Sequence, residues 1–336
     1  MSYDEICEYV KLNKLPSFRA KQIYYWLNQP ITEFSQMSNI PKTLIEILEK
    51  DFELYTVNIE RKLVSKIDGT VKYLFSLHDG ECIESVLMKY HHGYTLCIST
   101  QVGCRMGCSF CASGLNGLVR NLTASEMLAQ IIVAQADNNI RISNVVMMGM
   151  GEPLDNFDNS VKFLKLVSDE NGLNIGLRHI SLSTSGVVSK IYSLAEYNFP
   201  ITLSISLHAP TNLIRDKIMK VNHKWNIEEL IKACKDYQKV TGRRISFEYA
   251  MINGVNDSDE CALILSKLLK GLLCHVNLIP ANPVVENDFV KSTDARVSDF
   301  ARLLNGYGIN TTVRRTLGAD INASCGQLRR KTLNQS

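Results

Sequence analysis

From Tyr94 onward, short apolar runs alternate with amphipathic stretches, and this alternation constrains the fold more than any other feature. The apolar runs are TLCIST, NVVMMGM, HISLSTSG, ITLSISLH, RRISFEYAMI, CHVNLIP and NTTVRR. Helical spacing of apolar residues marks the intervening stretches ASEMLAQIIVAQAD, FDNSVKFLKLVSDE, NIEELIKACKDYQKV and ALILSKLLKGL. Repeated β then α segments predict an α/β fold, as a parallel barrel or a doubly wound sheet. Six or seven repeats favour an incomplete (β/α)6-type TIM barrel.

The segment before Tyr94 predicts two smaller units. SFRAKQIYYWLNQ and PKTLIEILEK have helical periodicity, whereas TVKYLFSLHDGECIESVLMKY alternates apolar and polar residues around an Asp79-Gly80 turn. We therefore divide the chain into a helical N-terminal module (1–53), a β extension (54–93), the barrel (94–313) and a C-terminal loop and tail (314–336).

Composition favours a cytoplasmic protein. The N-terminus MSYDEICEYVKLNK is charged throughout, unlike a signal peptide, and no apolar run is long enough to span a membrane. In a reducing compartment the ten cysteines are ligands, catalysts or core residues rather than disulfides. The net charge of +3 neither requires nor excludes a nucleic-acid partner.

Three cysteines, Cys104, Cys108 and Cys111, stand in the segment CRMGCSFC directly after a predicted strand. Loops at the carboxyl ends of barrel strands carry the chemistry of such folds. Thiolates bind iron–sulfur clusters or zinc. Three cysteines can hold three irons of a 4Fe–4S cube and leave the fourth open to a substrate. A zinc site completed by a remote Cys or His is the alternative.

The spacing C-x3-C-x2-C, with an aromatic residue before the last cysteine and β/α segments after it, resembles the radical S-adenosylmethionine (SAM) superfamily. The resemblance implies that Cys104, Cys108 and Cys111 hold one 4Fe–4S cluster. The open iron would bind the amino and carboxylate groups of SAM, and reduction would yield a 5′-deoxyadenosyl radical.

Other strand ends carry segments that fit SAM. MGMGEP is similar to the family's GGEP-type segment, in which Gly151 allows close backbone approach and Glu152 accepts from the SAM ammonium. Further polar segments follow later strands, and we expect them to converge around the methionine and ribose groups. Their candidate residues are Ser183, Ser206, Leu207, His208 and Asn282.

A closer resemblance covers essentially the whole chain. TLCISTQVGCRMGCSFCAS, MGMGEPLDN, STSGVV, SLHAP, LIPANPV, CGQL and the N-terminal FRAKQIYYWL together resemble the RlmN-type RNA adenine carbon-2 methyltransferases. The resemblance implies two SAM molecules per turnover, 23S ribosomal RNA and transfer RNA as substrates, and an external electron donor of flavodoxin or ferredoxin type. It also implies a monomer without membrane attachment, and an N-terminal module that contacts RNA.

The same resemblance assigns three further catalytic roles. Cys325 would take a methyl group from one SAM, and the radical from a second SAM would activate that methyl group. The activated group would add to the electron-poor carbon and leave the protein covalently joined to RNA. Cys97 would release the product by forming a disulfide with Cys325. Glu84 matches the position of the proton acceptor, although Cys97 is an alternative base.

Carbon 2 is favoured over carbon 8 by resemblance alone. GEPLDN retains the proline of the RlmN type, and RRTLGADINASCGQL has that group's spacing before Cys325, whereas the Cfr type is one residue shorter. Two competing interpretations are a non-catalytic zinc-bearing RNA-binding module and a methylthiotransferase. Methylthiotransferases usually carry three more cluster cysteines upstream, and Cys7, Cys82 and Cys97 are spread too unevenly for that.

Candidate RNA contacts are scattered basic and aromatic residues. They are Arg19, Lys21, Tyr25, Trp26, Arg120, Arg314, Arg315, Arg329, Arg330 and Lys331. Cations that converge at a barrel mouth would bind phosphates in a salt-dependent way.

Overall fold

The computed structural model describes residues 1–54, 57–280 and 289–323. Its α-helices are α1 (Tyr3–Leu12), α2 (Phe18–Leu27), α3 (Lys42–Asp51), α4 (Ala124–Asn138), α5 (Phe157–Val167), α6 (Val188–Glu196), α7 (Asn212–Ile218), α8 (Ile227–Thr241), α9 (Asp259–Leu269) and α10 (Asp294–Gly306). Its strands are β1 (Asn58–Val64), β2 (Val71–Ser76), β3 (Cys82–Tyr90), β4 (Gly93–Cys97), β5 (Gln101–Gly103), β6 (Leu118–Asn121), β7 (Ile142–Met147), β8 (Ile180–Thr184), β9 (Thr202–Ser206), β10 (Ile245–Met251), β11 (Cys274–Pro280) and β12 (Thr311–Val313).

The N-terminal helices α1, α2 and α3 bury an apolar cluster of their own. Ile6, Ile23 and Leu44 are among its members. Helix α1 begins at a capping box, because Ser2 accepts from the Glu5 amide while the Glu5 carboxylate accepts from the Ser2 amide.

Strands β1 to β4 form an antiparallel meander, as the alternating pattern predicts. The β2–β3 hairpin turns at Asp79-Gly80, where Gly80 adopts a φ of 82°. Strand β4 then pairs in parallel with β7, so it belongs to the meander and also begins the parallel part of the sheet.

The parallel strands follow one another in chain order, β4-β7-β8-β9-β10-β11-β12, with a helix-containing crossover between each neighbouring pair. Among the described residues this gives six β/α units, and β1 and β12 are the two edges of one open sheet. The predicted incomplete barrel is therefore confirmed. One large apolar core fills the space between sheet and helices.

The sequence patterns do not predict every element of the structure. They give no sign of α6, α7, α10 or the β5–β6 hairpin. The hairpin is short and rich in polar residues and glycine, so it lacks the apolar run that identified the barrel strands. No helix in the described part of the chain has the length and apolar character required to cross a bilayer.

Candidate active site

The three-cysteine loop joins β5 to β6 at the carboxyl edge of the barrel. The Cys104 amide donates to the Gly117 carbonyl at 2.8 Å, which closes the base of the loop. In its middle, the Ser109 amide donates to the Ile218 carbonyl at the end of α7, at 2.9 Å. The loop is thus held by its own hairpin and by the barrel.

A cavity of about 270 Å³ lies beneath this loop. The structure brings together there most of the residues that the sequence assigned to the cofactors: Cys104, Cys108, Cys111, Gly151, Glu152, Ser183, Ser206 and His208. Leu207 does not line the cavity, because its side chain is fully buried in the main core. Asn282 lies outside the described residues.

The thiols in this cavity are poorly suited to ionise without a cation. Burial raises the pKa of Cys104 to about 12 and raises the pKa of Cys108 as well. Among the described residues, no group of three or more His, Cys, Asp or Glu side chains forms a ready site for a single metal ion. The three cysteines line one cavity.

Glu152 is buried at the base of the cavity. Its carboxylate accepts from the Leu154 amide at 3.0 Å and from the Ser185 amide at 2.6 Å. Burial raises its pKa although these hydrogen bonds oppose the shift. A ligand with a positively charged group would relieve that burial cost, because an opposite charge favours the ionised carboxylate.

Gly149 and Gly151 allow the segment between β7 and Glu152 to lie close to the segment that runs from β4 into β5. A Cβ atom on Gly149 would lie 2.5 Å from the Ile98 carbonyl oxygen, and one on Gly151 would lie 2.6 Å from the Gln101 Cβ. Gly151 also has a φ of 104°, which disfavours other residues. The Glu152 amide then donates to the Gln101 side chain at 2.8 Å.

His208 is a neutral, fixed imidazole. Its Nδ1 accepts from the Ala250 amide at 2.9 Å, so its proton lies on Nε2. Burial, with a smaller effect of the Arg215 charge, lowers its pKa to about 3. Phe110 of the cysteine loop packs edge-on against the ring, with centroids 4.8 Å apart. His208 therefore offers a hydrogen-bond donor rather than a charge.

Sequence reasoning missed two polar groups at this cavity. Glu248 on β10 lines it, and its carboxylate accepts from Ser246 and Asn277. The hydroxyl of Ser185 is buried without a hydrogen-bond partner in the described structure. A polar residue within the apolar run RRISFEYAMI was the available signal for Glu248. The unsatisfied hydroxyl fits a polar ligand in the cavity.

A second cavity, of about 180 Å³, adjoins the first. Cys97 lines it, together with Val86, Met88, Leu317 and Ala323. Met148, Ile279 and Arg314 line both cavities, so the two spaces share a wall. Cys97 therefore lies beside the three-cysteine cavity, which fits its place in the apolar run TLCIST shortly before the cysteine segment. Cys325 lies outside the described residues.

Glu84 is fully buried beside this second cavity. Its carboxylate forms an ion pair with Lys72 of β2, with Nζ and Oε2 2.9 Å apart, and both side chains have 1% exposure or less. Glu84 is therefore not on the surface, where most glutamates lie.

Comparison with known proteins identifies the family. A model of the radical SAM superfamily matches residues 98–264. A probable dual-specificity RNA methyltransferase RlmN of Clostridium novyi is 52% identical over 99% of this chain and 97% of that protein. The corresponding Alkaliphilus oremlandii protein is 56% identical, over 94% of this chain and 92% of that protein.

The chain belongs to the RlmN-type family of radical SAM methyltransferases.

A solved relative agrees with this assignment. The crystal structure of a radical SAM methyltransferase from Sphaerobacter thermophilus is 43% identical, with a TM-score of 0.92 over 97% of each chain. Membership of the RlmN type makes this protein an enzyme, which argues against the non-catalytic zinc module. It also implies a 4Fe–4S cluster and SAM as cofactors.

The residues present fit those cofactors. The cysteine thiols would hold the cluster, since its irons supply the positive charge that these buried thiolates need. Glu152 and the unsatisfied Ser185 hydroxyl would hold polar groups of SAM. When bound, the cluster supplies the electron that cleaves SAM into methionine and a 5′-deoxyadenosyl radical.

The candidate RNA contacts of this RlmN-type chain have different environments. The Arg120 guanidinium forms ion pairs with Glu126 and Asp79. The Trp26 indole donates to Asn39 and packs with the N-terminal cluster. Arg314 and Arg315 line the Cys97 cavity. The tail residues Arg329, Arg330 and Lys331 lie outside the described residues.

Proposed function

We propose that this protein methylates carbon 2 of an adenosine in 23S ribosomal RNA and in transfer RNA, with Cys325 as the methyl carrier. The observation that carries this proposal is the position of Cys97 on a cavity that shares a wall with the three-cysteine cavity. A thiol in that position can meet an intermediate formed beside the cluster. A cytoplasmic location follows from these substrates.

The reach of the chain supports a role for Cys325. Ala323 lines the Cys97 cavity, and Cys325 follows it by two residues. Two peptide units separate Cα atoms by at most about 8 Å. The segment that leads to Cys325 thus lines the cavity that contains Cys97.

The target carbon explains why two thiols are needed. Carbon 2 of adenine is electron-poor and does not attack a sulfonium, so direct displacement on SAM fails. Cys325 thiolate is a competent nucleophile and accepts the methyl group first. A carbon radical generated from that methyl group is nucleophilic and adds to the electron-poor carbon.

Release of the product then uses Cys97 and Glu84. Glu84 accepts the proton from carbon 2. The unpaired electron left by the radical addition must also leave the adduct, and the oxidised cluster, when bound, would accept it. The Cys97 thiolate attacks the sulfur of Cys325, and the disulfide forms as the sulfur–carbon bond breaks. The bonding electron pair passes to the methylene carbon, which takes up a proton and becomes the methyl group. An external donor of flavodoxin or ferredoxin type must reduce the disulfide before the next turnover.

Substrate access requires the adenine to leave its stack. Base-modifying enzymes extrude the target base into a pocket. Arg314 and Arg315, at the Cys97 cavity, are suited to hold the neighbouring phosphates.

Mass spectrometry of RNA from cells with and without this protein tests the proposal. We expect 2-methyladenosine in both RNAs to disappear with the protein. Appearance of 8-methyladenosine instead would assign the Cfr-type reaction, and unchanged nucleoside profiles would refute an RNA methyltransferase of either kind.

Replacement of Cys97 by alanine tests the release step. We expect a covalent protein–RNA adduct to accumulate, because the adduct lacks the thiol that breaks its sulfur–carbon bond. Denaturing gels and peptide mass spectrometry would measure the adduct. Cys274→Ala is the matched control, because Cys274 lies at the opposite end of β11 from the cavities. Normal release of methylated RNA by Cys97→Ala would remove Cys97 from the mechanism.

A further inference from the structure

Lys72 is a buried cation with two partners on different parts of the chain. Its Nζ lies 2.9 Å from the Glu84 carboxylate and donates to the Asn322 carbonyl, also at 2.9 Å. Asn322 precedes Cys325 by three residues. One ammonium group thus joins the proposed proton acceptor to the backbone that leads to the proposed methyl carrier.

Strand register places this pair on the cavity face of the meander. Side chains alternate along β3, so Glu84 shares its face with Val86 and Met88, which line the Cys97 cavity. On the adjacent strands, both Lys72 and Cys97 are paired with Val86. The opposite face of the meander packs against the main apolar core.

Within residues 57–280 and 289–323, the other titratable groups around this pair come from β4 and from the segment after β12. Cys97 is on β4, and Arg314 and Arg315 follow β12. Asp320 belongs to the same segment as Asn322, but its carboxylate is held by the β1–β2 turn. Lys72 is therefore the cation in direct contact with Glu84, whereas the arginines lie across the cavity.

We propose that Lys72 is a positioning residue that pairs its charge with Glu84 and aligns Glu84 against the segment that leads to Cys325. This inference rests on the proposed function. In the step concerned, the bond from carbon 2 to hydrogen breaks, a bond from a Glu84 oxygen to hydrogen forms, and the electron pair stays in the ring. Only an ionised carboxylate can accept that proton.

Burial without a partner would disable Glu84 as a base. Desolvation disfavours the charged form, and fully buried glutamates can have pKa values of about 8–9. A lysine within hydrogen-bond distance opposes that effect. Stability does not explain such a pair well, since apolar replacements of buried ion pairs are often neutral or stabilising.

The first test measures the Glu84 protonation state in the cofactor-free full-length protein. Infrared spectroscopy of Lys72→Met at neutral pH should show a protonated carboxylic acid band that is absent from the wild type and from Lys72→Met/Glu84→Gln. Lys62→Met is the matched control, because Lys62 lies on the neighbouring strand β1 and pairs with Asp137 instead. An unchanged carboxylic acid region in Lys72→Met would overturn the proposal.

The second test measures the pH dependence of adduct release in the reconstituted enzyme. Near pH 7, Lys72→Met should release RNA about tenfold to a hundredfold more slowly than wild type, with recovery as the pH rises to about 8–9. The sign follows because a buried carboxylate without a cationic partner becomes basic only at higher pH. Lys72→Arg should retain the wild-type profile, and Glu84→Gln should be slow at every pH.

Failure of this inference is distinguishable from failure of the proposed function. If wild type forms neither an adduct nor methylated adenosine, the proposed function fails. If wild type does both and Lys72→Met shows the wild-type pH profile, Lys72 is not a positioning residue. If Lys72→Met does not fold, Lys72→Gln retains a hydrogen-bond donor without the charge, and the same pH shift is required of it.

Discussion

Arg215 of α7 is a fully buried cation that holds the ends of two barrel strands. Its guanidinium donates to the carbonyl groups of Ser185, Ser206 and Leu207 and to the side chain of Asn222. Burial lowers its pKa to about 10, so it remains charged at neutral pH. Because Ser185 and Ser206 line the three-cysteine cavity, this single side chain orders the cofactor-facing loops after β8 and β9.

Replacement of Arg215 by methionine should destabilise the protein strongly. Four acceptor groups would lose a charged donor, and a buried group left unsatisfied costs about 1–3 kcal/mol. We expect a loss of at least about 3 kcal/mol in the free energy of unfolding, measured by denaturant titration of the cofactor-free protein. Arg302→Met, which removes an exposed pair with Asp299, should leave the free energy of unfolding nearly unchanged. Equal stability of the two variants would contradict this account of Arg215.

Some site residues could be predicted from sequence and others could not, for a physical reason. The three cysteines and Glu152 lie in short segments whose spacing or motif carries their chemistry. Glu84 and Lys72 lie on separate strands, and their partnership exists only after the strands pair. Arg215 resembles an ordinary basic residue of a helix, and only tertiary packing shows that it is buried.

At the scale of elements, the β1–β2 turn and the segment after β12 hold each other through two carboxylates. Asp68 of the turn accepts from the Gly318 amide at 2.8 Å. In the opposite direction, Asp320 accepts from the Ser65 hydroxyl at 2.7 Å and the Lys66 amide at 2.9 Å. We call this arrangement the reciprocal clamp. It anchors the chain shortly before Cys325.

The reciprocal clamp should open when its carboxylates are removed or protonated. Burial favours the neutral acid, but hydrogen bonds from Gly318 and Thr70 lower the pKa of Asp68 to about 2. Contacts with Ser65 and Lys66 lower the pKa of Asp320. Both groups are therefore ionised at neutral pH, and the clamp weakens as the pH falls from about 4 towards 2.

Hydrogen exchange measures this opening directly. In Asp68→Ala/Asp320→Ala, the Gly318 and Lys66 amides should lose protection by about tenfold or more, because each loses a carboxylate acceptor. Asp299→Ala, an exposed position on α10, is the control and should leave both amides protected. Wild-type protection in the double variant would show that other contacts hold the segment.

The elements themselves were largely predictable. Alternating apolar runs located all seven parallel strands, because buried parallel strands need continuous apolar residues. The same reasoning gave no sign of the reciprocal clamp, whose polar residues are typical of any surface turn. The N-terminal division at 53 and 54 and the later boundaries remain predictions.

At the scale of the whole molecule, β4 belongs both to the antiparallel meander and to the parallel barrel. Under the proposed function, the barrel side supplies the cluster and SAM residues, and the meander side supplies Glu84 and Lys72. Cys97 stands at the end of the shared strand. The two cavities therefore adjoin because of the order in which the strands pair, rather than because of any one contact.

RNA affinity should depend on the arginines at this junction. We expect Arg314→Gln/Arg315→Gln to bind a transfer RNA transcript more weakly, with the slope of log affinity against log salt reduced by roughly 1–2, because each phosphate contact releases counterions. Fluorescence anisotropy over a range of KCl concentrations measures the slope. Arg302→Gln, on the exposed side of α10, should leave it unchanged. An unaltered slope in the double variant would place the phosphate contacts elsewhere.

The reciprocal clamp also bears on biosynthesis. The bond between Asp68 and the Gly318 amide joins positions 250 residues apart, so translation must pass Gly318 before the bond can form. Under the proposed function, a nascent polypeptide can assemble its iron-binding loop well before the thiol that carries the methyl group is held in place. Termination of translation shortly before Cys325 would then give a product able to bind SAM but unable to deliver a methyl group.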